Sequence, residues 1–99
     1  MNEELKKLIA LLEEPEFLGL NTRHYNVHIQ SILKSVSGTQ LEVICCNLFH
    51  YTDDGNIREK DAIYREMQYK ELSKLITLLK KEKLEAAQGI NFFHETSGL

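Results

Sequence analysis

The chain has 99 residues, enough for one domain around one modest core. Its 12 basic and 15 acidic residues leave a net charge of −3, which argues against generic nucleic-acid binding, where phosphate neutralisation needs clustered cations. No apolar run approaches the ~20 residues that span a bilayer. The only two cysteines, Cys45 and Cys46, are neighbours and poorly placed to bridge each other, so a reduced, cytoplasmic protein is expected.

In chain order, residues 2–14 predict a helix. Asn2 can cap it, Glu3 and Glu4 suit the positive end of its dipole, and Leu5, Leu8, Ile9 and Leu12 make one apolar stripe. Pro15 disfavours helical geometry at Glu14 and ends the helix there. Phe17, Leu18 and Leu20 around Gly19 read as a connector lying on the core.

Residues 23–34 alternate. Tyr25, Val27 and Ile29 fall on one side, and His24, Asn26, His28 and Gln30 on the other, the pattern of a half-buried strand. A helical stripe of Ile29, Ile32, Leu33 and Val36 competes with it. Ser37-Gly38 marks a turn under either reading. The central stretch, 41–51, is ambiguous in the same way. As a strand, Leu41, Val43, Cys45, Phe49 and Tyr51 share a face. As a helix, Leu41, Ile44, Cys45 and Leu48 do, with Thr39 and Glu42 spaced as a capping box. The branched and aromatic content and the neighbouring turn favour the strand.

Asp54-Gly55-Asn56 reads as a turn. A third strand is expected at about 61–68, with Ile63 and Met67 on one face, Tyr69 following and Arg65 between them. From there the period lengthens. Leu72, Leu75, Ile76 and Leu79 predict a helix over 70–88, with Gln68 near its start and Gly89 as a left-handed cap. The segment 90–99 contains Ile90, Phe92 and Phe93 and is too apolar for a free end.

The fold expected from these elements is α+β in a single domain over 1–99: N-terminal helix, three-stranded antiparallel meander, C-terminal helix. An all-α bundle is the alternative. The two segments around the Ser/Gly turn, the NLFHYTDDG stretch and the segment containing YREM resemble small SH3-like β-barrel domains encoded in bacterial and prophage genomes. The resemblance covers under half the chain. It implies an SH3-like arrangement of the meander and the style of a phage-encoded accessory or inhibitory, anti-defence factor.

Chemistry-bearing patterns are sparse. There is no nucleophile elbow, P-loop, dinucleotide fingerprint or paired-cysteine zinc motif, and HYNVH lacks the glutamate of the H-E-x-x-H pattern. A non-enzymatic protein without metal or cofactor is therefore expected. From Asn21 to Gln40 no acidic residue occurs. On a sheet, Arg23, His24, Asn26, His28 and Gln30, joined by Arg65 from the third strand, would form a positively biased face. Such a face suits an anionic small molecule, a nucleotide or an acidic partner. Ile90, Phe92 and Phe93 are the expected oligomer contacts. The leading expectation is a protein-interaction module that forms a homodimer or higher oligomer, or that binds another protein. Sequestration of an anionic small molecule is the alternative. If the chain is all-α, a helix-turn-helix regulator around Ser37-Gly38-Thr39 is a third.

Overall fold

The computed structural model describes residues 1–92, and among them it contains α-helices and short 3-10 turns but no strand. Six α-helices follow in order: α1 (Glu3–Leu12), α2 (Asn26–Ser35), α3 (Gln40–Asp53), α4 (Gly55–Lys60), α5 (Ala62–Lys80) and α6 (Leu84–Gln88). Two 3-10 turns, Pro15–Leu18 and Arg23–Tyr25, join α1 to α2. The α+β expectation is thus corrected to the all-α alternative. The strand expected at 23–34 is a 3-10 turn running into α2, that at 41–51 is the body of α3, and that at 61–68 is the first half of α5. With no sheet, the SH3-like resemblance does not hold either.

The reason lies in which apolar residues the chain leaves outside. A strand face would have buried Val27 beside Tyr25 and Ile29, and Val43 beside Leu41 and Cys45. Instead Val27 is 70% exposed and Val43 43% exposed, while Ile29, Ile32, Leu41, Ile44, Cys45 and Leu48 are buried. Ile63, assigned to the third strand, is 77% exposed. The helical period sacrifices these three side chains and keeps a continuous stripe on each helix. It also satisfies the backbone locally, without distant pairing. Branched side chains carry only a weak preference for strands, and tertiary packing overrides it.

The helix ends follow local chemistry. Asn2 Oδ1 accepts a hydrogen bond from the Leu5 N–H at 2.8 Å and caps α1, and Pro15 opens the next 3-10 turn. Thr39 does not cap α3 with its side chain. Its hydroxyl donates to Val36 O at 2.6 Å, and Glu42 accepts from the Gly38 N–H at 2.6 Å, the glutamate half of a capping box shifted by one residue. Gly38 takes a φ of +84°, the left-handed conformation that turns α2 into α3. The helix expected at 70–88 divides at Glu82 (φ 55°), and its first part begins earlier, at the cap Asp61 rather than near Gln68. Gly89 is right-handed (φ −85°), so the left-handed cap expected there is absent.

α3 occupies the middle, packed on α2 and α6, while α5 packs on α1, α4 and α6. The buried core unites Leu5, Leu8 and Leu12 of α1 with Ile44 and Leu48 of α3 and Leu72 and Leu75 of α5. Each such side chain contributes about 1.5–3 kcal/mol by leaving water. Ile90 and Phe92 belong to this core as well. Phe92 is buried with its ring edge-on to Tyr51, 5.4 Å between centroids. Phe93 lies outside the described residues.

Candidate functional site

The polar centre of the protein is Arg58. It enters on α4, a short helix that Gly55 allows to lie directly against the preceding loop. A Cβ on Gly55 would stand 1.8 Å from Leu20 O. The Arg58 side chain is 0% exposed. Nη1 donates to Tyr51 O at 2.5 Å and to Gln68 Oε1 at 2.7 Å. Nη2 donates to Gly19 O at 3.0 Å and Thr22 Oγ1 at 2.9 Å. The guanidinium carbon sits 4.1 Å from the centroid of the Tyr51 ring. No described carboxylate pairs with it directly. The nearest link to one runs through Gln68, whose Nε2 donates to Asp54 Oδ2 at 2.9 Å. Tyr64 donates to the same oxygen at 2.7 Å. Gln68 Nε2 also donates to Phe92 O at 3.0 Å, which ties the segment after α6 into the network.

Tyr51 completes this centre. Its ring stacks on Phe17, and its hydroxyl donates to Phe17 O. Burial pushes the Tyr51 phenol upward against the opposing pull of Arg58. Burial likewise pushes the Cys45 thiol from 9.0 up to about 12, whereas Cys46, one position round the helix, is exposed. Closed to solvent and bonded through both Nη atoms, with Nε alone lacking an acceptor among the described residues, the Arg58 network is a structural joint.

Two of the open concave regions bear on binding. The first is an apolar groove of about 270 Å³ between the end of α1, the following 3-10 turn and α5. Tyr69, Leu72, Ser73 and Ile76 form its α5 wall, a stripe set by the helical period, and Leu12, Pro15 and Leu18 form the other. Leu18 is 51% exposed. The Tyr69 hydroxyl donates to Leu18 O and fixes one end. Glu13 and Glu14 stand on the rim, with Glu16 exposed beside them, and Glu13 pairs with Lys80.

The second is a polar corner of about 320 Å³ between residues 20–23 and 52–56. Arg23 lies at its mouth, with Nε 3.7 Å from Asp53 Oδ1. Asn26 Nδ2 donates to the same Asp53 oxygen at 3.1 Å.

The residues predicted for a binding face separate once the sheet is gone. Arg23 and Asn26 meet at Asp53. His24 and His28 are exposed near the Tyr25 ring, and His28 lines a cleft with Lys7, Glu14 and Ser31 between α1 and α2. Gln30 is exposed on α2. Arg65 is elsewhere, donating from Nη1 to Arg58 O at 3.0 Å at the end of α4. Among the described residues, no three His, Cys, Asp or Glu side chains gather as a metal site, and no helix is long and apolar enough to cross a membrane. Of the proposed oligomer contacts, Ile90 and Phe92 are taken up by the chain's own core.

The groove went unnoticed in the sequence although its parts were visible. The E-E-P-E-F-L-G-L run places three carboxylates beside Leu18 and Leu20, an acidic edge to an apolar patch. No protein-family model matches the chain, and no match is found among curated proteins or solved structures. The class of protein is therefore set by its own architecture: a small all-helical bundle with an acid-rimmed apolar groove.

Proposed function

We propose that the protein is an interaction module that docks a basic, amphipathic segment of a partner protein into the groove between α1 and α5. The observation carrying this reading is the coincidence of half-exposed apolar walls, Leu18, Tyr69 and Ile76, with the exposed carboxylates of Glu13, Glu14 and Glu16. An amphipathic helix laid in such a groove buries its apolar anchors while its cations face the rim. The charge pattern steers encounter and rejects acidic competitors.

Fluorescence polarisation with a labelled amphipathic Leu/Lys helix peptide and its Leu/Glu counterpart tests this reading. The Leu/Lys peptide is expected to bind, more weakly as salt rises, and the substitutions Leu18→Asp and Ile76→Asp to weaken it by about tenfold or more each. Equal binding of the two peptides, or binding indifferent to both substitutions, overturns it. Mass that rises with concentration in sedimentation, abolished by Leu18→Asp, would assign the groove to a second copy instead.

The connection from α2 through Gly38 to α3 supports a second reading, the helix-turn-helix regulator, by its length and topology. Its exposed α3 positions, Val43, Cys46 and His50, offer no Lys or Arg to phosphate, which places it behind the first. Salt-sensitive retardation of duplex DNA, lost when the exposed face of α3 is made acidic, would bring it forward.

A further inference from the structure

We propose that the polar corner between residues 20–23 and 52–56 binds a small zwitterion of the α-amino acid class, at a site separate from the groove. The corner carries one charge of each sign at its mouth, Arg23 and Asp53, so it matches a neutral ligand with two charges better than an anion. At 3.7 Å and exposed on both sides, their ion pair is loose and screened by water, so it opens at little cost. Arg23 then presents its planar fork to a carboxylate, the geometry that guanidinium recognises best. Asp53 presents to an ammonium the oxygen that makes no hydrogen bond within the described residues.

The acidic partner is held in place. Thr52, buried, donates from Oγ1 at 2.5 Å to Asn26 Oδ1, and Asn26 Nδ2 in turn donates to Asp53 Oδ1 at 3.1 Å. Asn26 and Thr52 are thus positioning residues for the carboxylate. Asn21 and Asn56 line the corner with carboxamides that make no side-chain hydrogen bond within the described residues. Leu20, exposed on one wall, offers apolar surface to a ligand side chain. The volume, about 320 Å³, lies at the small end of ligand sites. Gly55 keeps its floor narrow, because its backbone touches Leu20 O.

The test is a ¹⁵N–¹H NMR titration of the full chain with a panel of common L-α-amino acids, each paired with its N-acetyl and its carboxamide derivative. Saturable shifts confined to residues near 20–26 and 52–58 are expected for at least one free amino acid, weakened about tenfold or more when either charge is blocked. Arg23→Gln and Asp53→Asn should each abolish those shifts, and Gln30→Ala, on the exposed face of α2, should leave them intact. Asn26→Ala should weaken binding while the rest of the spectrum stays native. No saturable shift with any free amino acid overturns the proposal, as does equal binding of the blocked derivatives.

Discussion

Arg58 gives up the hydration of a guanidinium and receives four hydrogen bonds and the face of an aromatic ring in exchange. Removing it strands several buried acceptors and opens a cavity. Arg58→Ala is therefore expected to lower stability by about 3–5 kcal/mol, seen as a shifted urea midpoint at unchanged slope. Arg58→Lys should recover little of this, because an ammonium cannot span acceptors on both sides of a planar fork. Gly55→Ala is predicted to cost about 1–3 kcal/mol, since the new methyl meets Leu20 O and a backbone must move. At Cys45 and Cys46 the expected contrast is chemical. Native protein should take one equivalent of iodoacetamide, at Cys46, and a second only when unfolded. Little of this scale was legible beforehand. Arg65 reads as a cation of the expected third strand and Arg58 stands just ahead of it, and nothing in a linear chain distinguishes the arginine that will be enclosed from the one that will rim the surface. The paired roles of Arg23 and Asp53 were hidden for another reason: they meet across 30 positions of chain.

At the scale of elements, sequence reasoning succeeded where one signal stood alone. The first helix has a cap, acidic residues in its first turn, one apolar stripe and a terminating proline, and it forms nearly as expected. The middle third offered two periods at once. It went to the helix, which bonds its backbone locally without a partner strand and leaves three apolar residues, Val27, Val43 and Ile63, exposed. α5 starts ahead of its expected position because its cap is Asp61, at the point where the sequence pattern suggests a turn and a strand. The Asp61 carboxylate accepts from the Ile63 and Tyr64 N–H groups, both at 3.0 Å. Asp61→Ala is accordingly predicted to lower stability by about 1 kcal/mol and to speed amide exchange in the first turn of α5.

For the molecule as a whole, the helical content predicts a far-UV circular dichroism spectrum with the helical double minimum and no sheet contribution. The groove could not be read in advance, because its two walls, from Leu12 to Leu18 and from Tyr69 to Ile76, are distant segments that only the tertiary fold brings together. The buried acids set the response to alkali. The Cys45 thiol loses its proton near 9 when unfolded but only at about 12 when folded, and the Tyr51 phenol is raised as well. Between those limits the unfolded chain binds fewer protons, so the contribution of these two groups to stability is level below pH 9 and falls as pH climbs toward 12. Denaturant titrations across that window should record the decline, with a shallower slope for Cys45→Ala.

The partners of Arg58 also fix when it can act. Gly19 and Thr22 precede it by 39 and 36 residues, and Gln68 reaches it from another helix. The bonds to Gly19 and Thr22 close long loops, so they are expected to form on the far side of the folding barrier. In stopped-flow experiments, loss of Arg58 should hasten unfolding and leave refolding nearly untouched. The arginine would then govern how long the native protein lasts, and hardly how quickly it arises.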